Sequence, residues 1–513
     1  MSLQESDYVI VGAGVNGSSI AYTLVTLGFK VTLLDRSPDG FVAPDAASHD
    51  LNKIVRADYT DCNYCTLAKE AISRWRTWPL FSPFYHEVGV LFRSSEVGNI
   101  FGGVGSAEEY VENAIKHAQL EGDRRFEIEG EGGLKRTAYK LVCDEQVKEI
   151  FQGVGTEVAV GKGLEGMGRK QTGYFNPRGG WAEANNACRA LLEHAIRLGA
   201  RVVPDARVTE FTYDGDKVNG VKTADGRTFG ARNVVLATGA WTSDLLSTLS
   251  PSTTRKDDAA KWLTRPSAQC VAILRLTPTE AAELKDTPVI INFSSGFYQF
   301  EPVLIPGLNE WQIKIAYHSN GYLYPKPPSE CNGKYPCFQD SALSHPTGAR
   351  EIGAEVTTSE DPGYEMAEST IPANRLDDML KELSQIYPSL AKKDKVITTR
   401  VCWYSDTLDE NWIIDSLNNH PSSTIESAKN IWVVSGDSGH AYKFLPMIGD
   451  LFATIAGISA NIRNLDLSRF SFAHQAMLHQ NRNDGKKVES ADSNRFHSNV
   501  AELATAQNLR ARL

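Results

Sequence analysis

The strongest constraint on the fold lies in the first forty residues. Asp7-Tyr-Val-Ile-Val11 is a short apolar, β-branched run of the kind that forms a buried parallel strand. It leads directly into Gly12-Ala13-Gly14-Val15-Asn16-Gly17, and then into Ser18 to Leu27, where Ile20, Leu24 and Leu27 recur at helical spacing. Gly28 ends that helix, and Lys30-Val-Thr-Leu-Leu34 reads as a second strand closing on Asp35. Strand, glycine turn, helix, strand and acid in this order predict a βαβ unit that holds a dinucleotide. Gly12 permits the tight turn, Gly14 lets the backbone approach a pyrophosphate, and Gly17 lets helix pack closely on strand. The pyrophosphate meets the unpaired N–H groups and dipole of the helix N-terminus. Asp35, eighteen residues beyond Gly17, is placed to accept hydrogen bonds from the adenosine ribose.

The rest of the chain must be compatible with that start. With 513 residues it can bury a sizeable core, divided into two domains. A formal net charge of −10 argues against a nucleic-acid partner. No apolar run approaches the roughly 18 residues of a membrane-spanning helix. The polar Met1–Asp7 segment runs straight into a strand rather than forming a secretory signal, which predicts an intracellular protein. The eight cysteines are scattered, without the spacing of a disulfide framework. Cys62 and Cys65 have C-x-x-C spacing but no second pair at zinc-ribbon distance, and Cys331 and Cys337 fall in a Pro- and Gly-containing loop. No metal site is expected.

The choice between NAD and FAD is made further along. Ala200 to Phe211 is followed by turns at Asp214-Gly215 and Asp225-Gly226, and then by Asn233-Val-Val-Leu-Ala237-Thr-Gly239-Ala-Trp241. This meander resembles the second half of the FAD domain in glutathione-reductase-like and D-amino-acid-oxidase-like flavoproteins. The resemblance implies that Val208 lies by the adenine and that Ala237 and Gly239 lie against the cofactor.

Further blocks narrow the family. Ala46-Ala-Ser48-His-Asp-Leu-Asn-Lys53-Ile-Val-Arg56-Ala-Asp-Tyr59, Gly173 to Ala182, Trp311 to His318, Val401 to Asp415 and Ser435 to Gly449 together resemble monomeric sarcosine oxidase and the fungal amadoriases (fructosyl amino acid oxidases). The resemblance covers about residue 7 to about residue 470. It implies a mixed α/β fold with a discontinuous Rossmann-like FAD-binding domain (1–95, 170–250 and 400–470). A substrate domain with a large mixed or antiparallel sheet (96–169 and 251–399) and a C-terminal extension (471–513) complete it.

The same resemblance assigns roles. Gly12, Gly14, Val15, Asn16, Gly17, Asp35, Arg36, Ser48, Lys53, Val208, Ala237 and Gly239 would hold FAD, with Asp437, Gly439, His440, Ala441 and Lys443 at its flavin end. Cys402 would carry the flavin as an 8α thioether, chemistry that needs a thiolate beside the dimethylbenzene edge. Lys314 would reach the flavin N5 region through water, its cation stabilising charge on O₂ as it is reduced. On spacing alone, Gln312 and Lys314 alternate with Ile313 and Ile315 as a half-exposed strand would, but His318 four residues on favours the site reading. Arg56 and Lys443 would clamp a substrate carboxylate. Lys53, His318 and Tyr404 join Lys314 as catalytic candidates, and Tyr298 is a candidate aromatic wall. Ala441 departs from relatives that carry glycine, and stretches 96–145 and 325–365 are longer than short relatives need.

These features predict a flavin-dependent oxidase of a secondary amine or N-substituted amino acid, giving an imine and passing electrons to O₂ to form hydrogen peroxide. An N-methylated aromatic amino acid, as in a fungal tailoring oxidase of the fumisoquin type, stands beside fructosyl amino acids and saccharopine or pipecolate. A flavin dehydrogenase with a protein or quinone acceptor is the alternative of another class. A monomer is expected, and Ala511-Arg512-Leu513 fits the peroxisomal address read by the import receptor.

Overall fold

The opening unit folds as its sequence dictates, with strand Ser6–Val11, helix Val15–Thr26 and strand Val31–Leu34. Both strands are almost wholly buried, and the helix presses Ile20, Ala21 and Leu24 into the core. Full burial of a Leu or Ile side chain stabilises by roughly 2 kcal/mol. The computed structural model describes residues 6–95, 113–115, 138–141, 150, 171–249, 264–293, 295–305, 307–318, 321, 371, 373–420, 430–463 and 465–483. Cys143, Cys331, Cys337, the stretch 325–365, most of 96–145 and Ala511-Arg512-Leu513 lie outside them.

Among the described residues, eight strands form the sheet around this unit. Its parallel centre runs Arg201–Val203, Val31–Leu34, Ser6–Val11, Thr228–Leu236 and Ile431–Ser435, with Ile413–Ser416 antiparallel at one edge. Val208–Asp214 and Lys217–Thr223 extend it as the expected meander, paired antiparallel through the first residues of Thr228–Leu236. Helix Cys62–Thr77 packs on the same core through Tyr64, Leu67, Ala71 and Trp75. It starts at Asp61, whose carboxylate accepts from the backbone N–H groups of Asn63 and Tyr64. Cys62 is exposed and Cys65 buried on this helix. No helix among the described residues is long and apolar enough to cross a membrane.

A second sheet has nine strands among the described residues. Its path is Val396–Asp406, Arg265–Leu276, Glu310–Tyr317, Phe297–Gln299, Val289–Asn292, Val90–Ser95, Gln171–Asn176 and Tyr139–Leu141, with Val303–Ile305 also paired to Glu310–Tyr317. Only Val289–Asn292 and Val90–Ser95 pair in parallel; the other pairings are antiparallel. The mixed α/β architecture with a large mixed sheet is therefore present. The edges of the expected division differ from sheet membership. Val90–Ser95, Gln171–Asn176 and most of Val396–Asp406 belong to the second sheet although the expected boundaries put Val90–Ser95, Gln171–Asn176 and 400–406 with the first. Helix Phe472–Asn483, placed in the C-terminal extension, docks through Phe472 in the core of the first sheet. Three short strands, Asn52–Val55, Gly180–Glu183 and Tyr85–His86, form a third sheet.

Candidate functional site

A cleft of about 330 Å³ runs along the C-terminal ends of the parallel strands. Its size is that of a small-molecule site. One end is lined by Asp35, Arg36, Val208 and Trp241, the middle by Gly12, Gly14, Val15, Asn16 and Ser48, and the other end by Lys53, Tyr404, Gly439 and Ala441. The turn that shapes it leaves no room for side chains. A Cβ on Gly17 would sit 1.8 Å from the Gly12 carbonyl oxygen. Gly12 itself has φ +105°, and a Cβ there would stand 2.4 Å from the Ala237 carbonyl oxygen. Ser48 Oγ accepts from Val15 N at 2.9 Å and ties the helix start to the 46–55 segment.

Asp35 is buried at the end of its strand, where Ala13 N–H donates to Oδ2 at 2.7 Å and Ser37 N–H to Oδ1 at 2.8 Å. Burial pushes its acid above the usual carboxylate range against these hydrogen bonds. A carboxylate has about four lone-pair sites, so it keeps acceptors for a ribose. Arg36 lies 4.0 Å over the Trp241 ring and pairs with Asp45 at 2.6 Å. Asp244 and Asp437 also line the cleft. Asn16 Nδ2 donates to Asp437 at 2.9 Å, and burial pushes that acid up to about 6. A glycine-walled helix N-terminus with an acid at one end and an open, aromatic-edged end at the other fits the FAD expected from the sequence.

At that second end the cleft meets a smaller cavity of about 90 Å³, with Lys53, Tyr404, Gly439 and Tyr442 lining both. Gly439 has φ +76°, and a Cβ there would stand 2.1 Å from the Tyr404 ring. Only glycine fits between the loop and the tyrosine. Arg56 and Lys443 line the cavity together with Lys53, beside apolar walls that include Ile291, Phe293, Tyr298 and Phe300. Lys443 Nζ donates to Tyr59 Oη at 2.6 Å and to the His440 carbonyl at 2.8 Å. Tyr59 Oη is 3.1 Å from His440 Nδ1, and His440 Nε2 is 2.8 Å from the Glu410 carbonyl. A carbonyl can only accept, so Nε2 carries the proton and Nδ1 accepts from Tyr59. Arg56 donates to the Asp58 carbonyl and its guanidinium lies 4.9 Å over the Tyr59 ring. Trp75 Nε1 donates to the Lys443 carbonyl at 2.7 Å, which anchors the backbone of that lysine to helix Cys62–Thr77. His318 lines the cavity 5.7 Å from Tyr404, ring to ring.

A third group sits behind the junction. Lys314 Nζ is 2.6 Å from Asp50 Oδ2 and 2.6 Å from the Asn52 carbonyl, while Lys53 Nζ is 2.7 Å from the same Asp50 oxygen. Lys53 lies 3.6 Å from Cys402 Sγ, a thiol buried on strand Val396–Asp406. Against burial, Lys314 and Lys53 hold the Asp50 acid well below the carboxylate range, and Asp50 holds Lys53 above the lysine range. Burial, with Lys53 competing for the same anion, brings Lys314 down to about 7.

The structure thus brings most expected residues together. Gly12, Gly14, Val15, Asn16, Asp35, Arg36, Ser48, Lys53, Val208, Ala237, Gly239, Asp437, Gly439 and Ala441 line the cleft, and Arg56, Tyr298, His318, His440 and Lys443 the cavity. Gly17 and Cys402 stand just behind the cleft wall, touching Gly12 and Lys53. Lys314 differs from the half-exposed spacing reading. Strand Glu310–Tyr317 is flanked by Arg265–Leu276 and Phe297–Gln299, and Lys314 is fully buried with Asp50 between it and Lys53. Sequence reasoning gave no role to Asp50 or Tyr59, although both fall inside the block 46–59. Their signal was their spacing, since each stands three residues from a site cation, Lys53 or Arg56.

The pattern of the family DAO, FAD dependent oxidoreductase, matches residues 7–455. Curated relatives include L-saccharopine oxidase of Schizosaccharomyces pombe, 28% identical over 87% of this chain and 88% of that protein. Amino acid oxidase fsqB of Aspergillus fumigatus is 25% identical over 88% and 92%, and monomeric sarcosine oxidase of Bacillus sp. 24% over 92% and 96%. Among solved structures, fructosyl amine:oxygen oxidoreductase (Amadoriase I) of Aspergillus fumigatus superposes with a TM-score of 0.66 at 23% identity, covering 92% of this chain and 91% of that one.

Proposed function

Because the chain belongs to the DAO family of FAD dependent oxidoreductases, we propose that it is an oxidase of N-substituted amino acids, releasing an imine and hydrogen peroxide. The observation that carries this reading is the cavity holding Arg56 and Lys443, open to the cofactor cleft at Tyr404 and Gly439. The two cations bind the substrate carboxylate, Arg56 as a planar fork and Lys443 as a point charge. With the carboxylate held there, the apolar walls receive the N-substituent and exclude water from the reacting carbon. A bound FAD would supply the two-electron redox chemistry between the amine and O₂. Residues 12–17, Asp35 and the 437–441 loop would hold it, and Lys53 and Lys314 would supply positive charge where oxygen is reduced. The relatives named above act, by their names, on saccharopine, sarcosine and fructosyl amines, which supports this substrate class.

Within the class we place N-methylated aromatic amino acids first, because Phe293, Tyr298 and Phe300 wall the cavity. Imine capture by a phenol ring is part of that reading. Fructosyl amino acids and saccharopine or pipecolate are the alternatives. The proposal includes a thioether from Cys402 to the flavin, a monomeric enzyme, and peroxisomal import through Ala511-Arg512-Leu513. A fluorescent protein ending in those three residues tests the address.

The decisive experiment is oxygen uptake with peroxide assay on a panel of these amines, together with acid precipitation. Stoichiometric peroxide and a yellow pellet that becomes colourless in Cys402→Ala support the whole reading. Flavin bleaching without peroxide overturns the oxidase assignment, and a colourless parental pellet overturns the thioether.

A further inference from the structure

Both lysines behind the flavin end of the cleft rest on one oxygen atom. Asp50 Oδ2 lies 2.6 Å from Lys314 Nζ and 2.7 Å from Lys53 Nζ. All three side chains are shielded, with exposures of 0% for Lys314, 2% for Asp50 and 14% for Lys53. Lys53 lines both the cleft and the cavity, whereas Lys314 lines neither and contacts Asp50, the Asn52 carbonyl and, at 4.8 Å, the ring of Phe300. Arg400 adds a third positive charge, acting on Asp50 from strand Val396–Asp406. One buried carboxylate therefore serves three cations, and two of them share a single oxygen.

We propose that Asp50 is the positioning residue of the oxygen-reducing side of the site, binding Lys53 and Lys314 into one coupled pair whose charge is set by their competition for its carboxylate. The proposal rests on the oxidase reading above, in which positive charge at this place assists reduction of O₂. Two ammonium groups on one anion in a shielded setting repel each other strongly. The member with less access to solvent gives up its proton more readily, and that member is Lys314, whose titration is brought down to about 7. Lys53, partly open to the cleft, keeps its charge. Other groups bearing on the cluster are His49 on the 46–55 segment, Cys188 on helix Ala184–Arg197, Cys402 and Tyr404 on Val396–Asp406, Tyr298 on Phe297–Gln299 and Tyr442 on the turn Tyr442–Phe444. The consequence is that charge at the cleft edge and charge behind it cannot be varied independently.

The coupling makes two substitutions move the same titration in opposite directions. The flavin is reduced photochemically, without any amine, and its reoxidation by O₂ is followed in stopped flow from pH 5.5 to 9.5. In the parent the rate falls as Lys314 loses its proton, with a midpoint near 7. Asp50→Asn removes the attraction that keeps Lys314 charged, so the midpoint moves to lower pH. The rate at pH 8 then drops about tenfold for every pH unit that the midpoint moves. Lys53→Met removes the competitor, so the midpoint rises above that of the parent. Asp50→Glu restores a carboxylate and returns the profile toward the parental one. If Asp50→Asn accumulates poorly, the rise in Lys53→Met carries the test alone. Unshifted or same-direction profiles in the two variants overturn the coupling. Since no amine is used, failure to find a substrate leaves this test intact, and a parent that reoxidises slowly at every pH overturns the oxidase reading instead.

Discussion

The cofactor cleft and the cavity beside it are built on different principles. The cleft is made by backbone: a glycine turn, a helix N-terminus and two carboxylates held by N–H and amide groups. The cavity is made by side chains that converge from Lys53 and Arg56, from Ile291, Phe293, Tyr298 and Phe300, and from His318, Tyr404 and the 439–443 loop. A backbone site admits few substitutions, because any Cβ added at a contact displaces main chain. A side-chain site can be altered group by group, and each alteration changes which molecule it accepts. The first therefore fixes the cofactor and the second adjusts the substrate.

This contrast sets an order of expected effects. Gly17→Ala places a methyl 1.8 Å from the Gly12 carbonyl. It should cost on the order of 4 kcal/mol or more and leave little flavin on whatever chain accumulates, read as flavin per protein by absorbance. Gly439→Ala breaks the boundary between the two regions, forcing Tyr404 from its place. A loss in kcat of about 100-fold is expected, with flavin content retained, since small misplacements at reacting groups cost that much. A retained kcat would show that the cavity tolerates movement at its edge. Lys443→Met should raise KM for an amino acid by roughly 100-fold and change kcat far less, as a lost charged contact does. Tyr59→Phe removes one hydrogen bond from the Lys443 ammonium and should raise KM by roughly tenfold. An equal fall in kcat would instead place Tyr59 in the chemical step.

The smallest effect separates the regions by pH. Asp437 has its acid raised to about 6 by burial. A raised acid contributes its stability below the unfolded value near 4, and loses it as pH rises through about 6. Asp437→Asn should therefore melt a few degrees higher than the parent at pH 8 and about level with it at pH 4. Differential scanning at the two pH values decides this, and an equal difference at both would remove Asp437 from the titration.

What the sequence made legible follows the same division. Gly12, Gly14, Gly17 and Asp35 occupy one continuous βαβ unit, so spacing alone locates them. The pairing of Arg56 with Lys443 and the place of Cys402 were reached only through resemblance, since residues more than three hundred positions apart carry no local signature of their meeting. The burial of Lys314 was hidden for another reason. Its strand alternates like one with a wet face, but that face is covered by the 46–55 segment, and a carboxylate from there takes the place of water. Period-2 alternation reports which side chains share a face, not what lies over it. Sheet membership near residues 95, 171 and 400 was not legible either, because the strands there pair through long-range register.

One stretch, Val396–Ser416, begins in the nine-stranded sheet and ends in the eight-stranded one. Between its two strands, Asp409 accepts from Gln475 Nε2 and lies 2.7 Å from His474 Nε2, and on the second strand Asp415 accepts from Phe472 N–H, so the helix Phe472–Asn483 is fastened to the same stretch. Neither sheet can lose this segment without releasing a strand from the other. Heat should consequently melt both halves in one calorimetric transition, and a cut in the chain between Asp406 and Ile413 should divide that transition in two.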